Sequence, residues 1–573
     1  MSFRRNVSRV NELVKLHGDE AKHEQTDSWA NRDLIPLPPS RRTWGWFEFF
    51  GYWTLNSLNV SVWQLPNTFL SAGLSVKQSM AVIVVSNVII TMFTSFCAWC
   101  GLTYHIGFTI QNRYSWGMRG SYIPLIQRVM LNFIWTAIQC YTGGLLTNVI
   151  ITAVWPSFQD IPNHLPASAN VTTQEMVGFF IFWFCSLPFL WLPPEKFRLP
   201  FLVTSIYCSL GMISLLIWSL AVAKGVGPLF TQGTNTTGSR WTIPWIMLNC
   251  INSNIGSTAA GMVNGSDFSR YGKSKSAFII GTISCLFAVG IIVSFMGLVV
   301  TSAAQNIYGE IYWNPPDLLM RIMGNGRGSA KSRVACFFLA LGFALTSGFQ
   351  NVCGNAVAGG IDLAGMFPRY INIRRGAILT FLAAWIVQPW QLEAGAATFL
   401  TALSSFSVFL APMMGIMTAD FFLLRRGRIA LSHLFRLEGS AYYYALGFNL
   451  RALPAWLAGW APTVGGLNAA VHADDSAPRA LYELYYVSFF IGFFISFSVF
   501  LALNVLFPPG NLDTTDDADV YGAFTASEAR ALGLVPAPEA LDGEPELAYG
   551  EAEKVAYGSA EKAVEDPDEE IKV

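Results

Sequence analysis

Trp135 and Gln139 stand four residues apart in a long apolar run, so a helix there carries both on one face. The indole offers a flat apolar surface, and the amide offers both a donor and an acceptor. That pair suits a flat heterocycle with alternating carbonyl and N–H groups; ordinary helix packing also produces it. A second run, Ser347 to Gly376, adds Gln350, Asn351 and Asn355 to an interior of small residues that let helices approach closely. Two further apolar segments are polar at their centres. Leu55 to Phe69 carries Asn56, Asn59, Gln64, Pro66 and Asn67, and Leu248 to Arg270 carries Asn249, Asn252, Asn254, Gly256, Gly261 and Asn264. Amides and bare backbone at membrane depth are costly unless they line a cavity buried in protein. Interrupted helices at matching places in two halves mark a transporter's substrate site.

Carboxylates inside a membrane cost about 2.5–3.5 kcal/mol on insertion scales, so each needs a reason. Asp362 lies seven residues beyond Asn355, two turns along the same face, and Glu48 stands near the start of the first apolar span. Burial disfavours the charged form, which makes either a candidate to load and release a coupling proton. The alternative for Asp362 is an interfacial ion pair with a cytoplasmic Arg. Asp267 reads as structural, paired with Arg270 or a neighbour. Phe406, Phe409 and Met413 are spaced to face the cavity as an outer gate, or else are ordinary core.

The elements that position these residues are membrane helices. The chain is 53% hydrophobic and 13% charged with a mean hydropathy of +0.41, whereas a soluble domain has roughly 25% charged residues. Twelve spans are expected, at about 47–72, 78–102, 125–155, 176–193, 200–223, 241–263, 276–301, 333–360, 376–392, 396–421, 443–466 and 483–507. An even number puts both tails on one side. Loops on that side hold Arg113, Arg119, Lys196, Arg198, the Arg270–Lys275 and Pro368–Arg375 stretches, and Arg425, Arg426 and Arg428, so the positive-inside rule predicts cytoplasmic tails and a multi-pass plasma-membrane protein. The sequons at Asn170 and Asn235 then fall outside. The opening residues have no apolar core and no signal peptide is expected. The tail from 510 to 573 is acidic and poor in large apolar residues, which predicts disorder; both tails are candidate contacts for trafficking or ubiquitination machinery.

Other classes fit poorly. Six histidines, His17, His23, His105, His164, His433 and His472, lie in tails, loops or span ends, and none forms an H-E-x-x-H pair, so no metal site and no intramembrane enzyme is expected. Gly324 to Ser332 lacks the contiguous Gly-Lys-[ST] of a phosphate loop. No filter or acidic ring suggests a channel, and nothing suggests nucleic-acid binding. The nine cysteines, including Cys97 and Cys100, read as core.

Several motifs together resemble the fungal branch of nucleobase–cation symporter family one. They are Trp29-x-Asn31-x-Asp33-Leu34 with Arg41-Arg42-Thr43-Trp44, then Asp267-Phe268-Ser269-Arg270-Tyr271, Pro368-Arg369-Tyr370-Ile371-Asn372-Ile373-Arg374-Arg375-Gly376, and Gly447-Phe448-Asn449-Leu450-Arg451-Ala452 in the eleventh span. The resemblance runs from about residue 29 to 509. It implies an all-α polytopic protein of the leucine-transporter fold, with a cytoplasmic tail (1–45), a twelve-span domain (46–509) and the acidic tail (510–573). Within the domain, repeat one is about 46–223, inverted repeat two about 241–421, and two extra spans occupy about 443–507. It implies a secondary transporter with alternating access. By resemblance Trp135 stacks on the substrate, Gln139 hydrogen-bonds it and Asn355 completes the site, with Asn59 matching the first-span polar position and Gly256 the sixth-span break. A hydantoin carrier of the family has a second stacking Trp where this chain has Ser257. Sodium-coupled relatives carry Ser and Thr hydroxyls where this chain has Phe349 and Gln350, so a proton is the expected coupling ion and no other cofactor is expected. The expected substrate is a small planar nucleobase or ureide such as uracil, allantoin or uric acid. Thiamine, nicotinamide riboside and uridine are alternatives within the family, and a non-transporting nutrient receptor is a minor one.

Overall fold

The computed structural model describes residues 33–191, 198–233 and 240–541, and those residues form helices and turns with no extended strand. Helical segments occupy all twelve expected positions. Eight of them are long and apolar enough to cross a membrane outright, among them Val76–Tyr104, Tyr122–Val154, Lys275–Tyr308 and Ser488–Leu506. The first span is two helices, Trp46–Ser57 and Val60–Ser71. Its break has a local cause: Asn59 adopts an extended backbone and caps the second helix by accepting from Val62 N–H (3.0 Å), while its amide donates to Asn56 O.

The bundle is held by close helix contacts at small residues. A Cβ on Gly144 would come within 2.6 Å of the Phe179 Cα, and one on Gly360 within 2.3 Å of Ile373 O. These glycines therefore let the third span meet the fourth and the eighth meet the ninth at backbone distance. Outward faces are apolar, with Ile217 63% and Ile386 82% exposed, as a lipid-facing surface requires.

The motif residues gather at the end of the bundle that carries both tails. Trp44 N–H donates to Tyr271 O (3.0 Å), and the two rings stack at 5.6 Å, joining the entry motif to the Asp267–Tyr271 motif. Gly447 O accepts from the backbone N–H of Arg119 and Gly120 (2.8 and 3.0 Å), pinning the approach to the third span. The Gly447–Ala452 motif thus precedes the eleventh span, which begins at Ala452 and not at 443. Positive φ at Tyr444, Leu446 and Gly447 turns the chain there and forbids helix.

The expected disorder from residue 510 is corrected up to 541. Ala523, Phe524 and Ala529 are buried against Tyr104, Ile110 and Phe421. Asp519 accepts from the N–H groups of Ala523 and Phe524 (3.0 and 2.9 Å), and Arg42 pairs with Glu528 (2.8 Å). A few well-placed apolar residues suffice here because the tail packs onto an existing surface. Residues 1–32 and 542–573, and the Asn235 sequon, lie outside the described residues; Asn170 is exposed.

Candidate functional site

A cavity of about 160 Å³ lies where the broken first span meets spans three, six, eight and ten. The first span contributes Asn56, Asn59 and Ser61, the third Asn132, Trp135 and Gln139, the sixth Asn254, Ser257 and Thr258, and the eighth Gln350 and Asn355. No Asp, Glu, Lys or Arg is among the described residues that line it.

Gln139 is set by its neighbour. Its Nε2 donates to Ser61 Oγ (3.0 Å), just past the first-span break, while its buried Oε1 has no protein partner. The Trp135 N–H and Gln350 Oε1 are likewise buried without partners. Orphan polar atoms this deep are rare and call for an explanation; a polar ligand supplies one. Asn355 belongs to a π-helical turn, Asn351–Ala356, and donates to Asn351 Oδ1 (2.9 Å), while Asn351 Nδ2 donates to Thr136 O (3.1 Å). Such turns recur at functional sites because the widened helix re-aims side chains. Trp135, Gln139, Asn355, Asn59 and Ser257 are thus brought together.

Other expected residues fall elsewhere. The sixth span is unbroken from Ile243 to Val263 and changes direction at Asn264, not at Gly256. Gly256 faces the tenth span, where a Cβ would lie 2.2 Å from Leu403 O; it is a packing glycine, away from the cavity lining. The tenth-span stripe that faces the cavity sits about two turns earlier than expected. Phe399 and Leu403 line the cavity, and Phe406 meets Trp135 at 5.8 Å between rings. Phe409 packs on Trp460 of the eleventh span, and Met413 is fully buried core. The helix rotates these two off the cavity face. Glu48 is exposed and accepts from Gly45 N–H (2.8 Å), closing the first turn of its helix at a distance from the cavity.

Asp362 takes the ion-pair alternative, but inside a buried cluster and not at the interface. Arg128 reaches both Asp267 (3.2 Å) and Asp362 (3.1 Å), and all three side chains are at most 1% exposed. Asn132 donates to Asp362 Oδ2 (2.8 Å), and Phe108 N–H donates to Asp267 Oδ1 (2.8 Å). Asp267 therefore pairs with Arg128, while Arg270 bonds only its backbone carbonyl. A signal for the cluster was present. Arg128, Asn132, Trp135 and Gln139 are spaced by four, three and four residues, one stripe of a single helix face.

A helical membrane bundle with a broken first span and an amide-lined central cavity defines a carrier of the leucine-transporter fold. The solved structure of MHP1, a nucleobase-cation-symport-1 family transporter, closed with bromovinylhydantoin bound, shares that fold at a TM-score of 0.65 and 21% identity, covering 88% of this chain and 99% of that one. The profile of permeases for cytosine/purines, uracil, thiamine and allantoin matches residues 36–492. The chain is 32% identical to the transporter aclS of Aspergillus oryzae, over 92% of this chain and 94% of that protein. It is also 32% identical to the thiamine transporter of Saccharomyces cerevisiae, over 95% and 90%. This chain belongs to the nucleobase–cation symporter family; it is a transporter and not an enzyme.

Proposed function

We propose that the protein imports a small, neutral, planar heterocycle of the uracil, allantoin or uric acid type across the plasma membrane with a proton, its tails in the cytoplasm. The observation that carries this is the cavity itself, uncharged, rich in amides and about 160 Å³ in volume. An engineered apolar cavity of about 150 Å³ takes one benzene, so this space suits one ring. A cationic ligand held there without a carboxylate would forfeit its hydration uncompensated. Uracil has about eight heavy atoms, and micromolar binding needs about −8 kcal/mol, roughly −1 per atom and inside the attainable range. Thiamine and nucleosides are the second reading, favoured by the near full-length similarity to a thiamine transporter; they need the cavity to widen.

For the proton, Asp362 is the residue we assign. Two carboxylates share one guanidinium, so the cluster carries an excess negative charge away from water. A proton on Asp362 leaves Arg128 wholly to Asp267 and frees the Asn132 amide, which lines the cavity. That links proton binding to the substrate's surroundings through one side chain. Radiolabelled uracil uptake in a host stripped of its own pyrimidine and purine carriers tests the proposal, with allantoin, uric acid, uridine and thiamine as competitors. Saturable uptake that rises at acid pH and collapses with a protonophore is expected. Uptake of thiamine or uridine in place of uracil would overturn the neutral one-ring assignment.

A further inference from the structure

Glu393 lies in the connection between the ninth and tenth spans, at the end of the bundle opposite the tails. The residue is 7% exposed, and its carboxyl touches two other elements. Oε1 is 3.1 Å from Thr142 Oγ1 on the third span, one turn farther from the tails than Gln139, and Oε2 is 3.5 Å from Gln64 Nε2 in the second half of the broken first span. These elements, with Phe399 and Leu403 of the adjoining tenth span, stand between the cavity and that end of the bundle.

No cation offsets the carboxyl among the described residues. The titratable groups that act on its surroundings are Asp317 of the short helix Pro315–Ile322, Glu175 at the start of the fourth span and Tyr141 on the third. Arg321, on the Asp317 helix, lies instead over the Tyr308 ring (5.4 Å). The first-span half Val60–Ser71 and the tenth span up to Thr418 carry no charged residue. An anion in such a place is costly.

The hydrogen-bond pattern fits the neutral acid. Thr142 Oγ1 is 3.1 Å from both Ile138 O and Glu393 Oε1, but a hydroxyl has one proton to donate. Ile138 O is a carbonyl and only accepts. With the Thr142 proton on it, the contact to Glu393 is a hydrogen bond only when the carboxyl carries a proton and donates to Thr142. On the other side, Gln64 is fully buried and its Oε1 has no donor. Turning that amide over presents Oε1 to the carboxyl as an acceptor. A carboxyl proton supplies a donor to Thr142 Oγ1 or to the turned Gln64 Oε1, whereas a carboxylate can only accept, from the Thr142 hydroxyl at the cost of its bond to Ile138 O and from Gln64 Nε2 with Oε1 left unpaired. Burial pushes the Glu393 carboxyl up to about 8, in keeping with this.

We propose that Glu393 is a second proton-binding site, which holds the first, third and tenth spans together over the cavity when protonated and releases them when ionised. When those elements part and water enters, the carboxyl ionises; when they close, it takes up a proton. Closure over substrate is then favoured at acid pH and lost as pH rises through the closed-state pKa. The inference rests on the transporter reading but not on the role given to Asp362.

Two measurements on the full-length protein test it. Infrared spectroscopy of purified protein at neutral pH is expected to show a protonated-carboxyl band that Glu393→Gln removes. In uptake assays, Glu393→Gln mimics the protonated acid and is expected to keep transport while the limiting slope of log KM against pH falls by one proton, about tenfold per pH unit. Thr142→Val, which removes the acceptor at constant shape, is expected to move the acid limb of that profile to lower pH, and it serves if the Gln variant does not reach the surface. An unchanged infrared band and an unchanged pH profile in either variant would overturn the proposal. Absence of uptake by the wild type for every family substrate would instead count against the transport reading, with the infrared result still deciding the protonation of Glu393.

Discussion

Truncating Gln139 gives the sharpest test of the substrate site. Its Nε2 is committed to Ser61 at 3.0 Å and its Oε1 is free, so its expected contact with substrate is as an acceptor from a ring N–H. Gln139→Ala leaves that N–H unpaired in a closed cavity and strips Ser61 of its donor. An unpaired buried polar group costs about 1–3 kcal/mol. At about 1.4 kcal/mol per factor of ten, the inhibition constant rises about 5- to 150-fold. Ser61→Ala keeps the acceptor but loosens its aim, so a smaller rise of about threefold to tenfold is expected, for roughly 0.5–1.5 kcal/mol. The double variant should cost less than the sum, because Ser61 acts through Gln139. The assay is competition of radiolabelled uptake in variants shown to reach the surface. An unchanged inhibition constant in Gln139→Ala, or full additivity of the pair, would refute the geometry.

Asn355→Ala is expected to abolish binding, read by the same competition assay, because it empties one wall of the cavity and unpairs Asn351. Asp362→Asn should abolish concentrative uptake while equilibrative exchange survives; normal accumulation would remove Asp362 from coupling. Arg128→Met leaves two carboxylates buried without a cation and should destabilise the fold by about 3–5 kcal/mol, seen as loss of the monodisperse peak on heating. The tail contact should depend on pH. Burial alone would raise the Glu528 carboxyl, but Arg42 and the Thr525 N–H hold it below the usual carboxylate range. Its contribution is therefore present above the unfolded pKa and lost as pH falls through the folded one. With Arg42 buried and Glu528 38% exposed, the pair is worth at most about 1 kcal/mol. Protease protection of residues 523–532 should fall on acidification, and Glu528→Gln should flatten that response.

The class of protein, the twelve helical positions and much of the cavity wall were legible in the amino-acid order alone. Long apolar runs can cross a membrane only as helices, and amides inside them are tolerated only around a cavity, so Asn59, Trp135, Gln139 and Asn355 were legible from type and spacing. Packing partners decided the rest. Gly256 reads equally as a hinge or as a contact, and only the Leu403 carbonyl against it shows which. Phe409 and Met413 needed the rotation of the tenth span, which the eleventh and twelfth spans set. Asp267, Arg128 and Asp362 lie far apart in the chain, and no local pattern tells a carboxylate which cation it will meet. The acidic tail looked disordered because composition measures the core a segment can build alone, whereas residues 514–541 use a surface already built by the spans. Glu393 was silent for the same reason: its environment is made by Gln64 and Thr142, hundreds of residues away, and burial without a cation is a property of the assembled bundle.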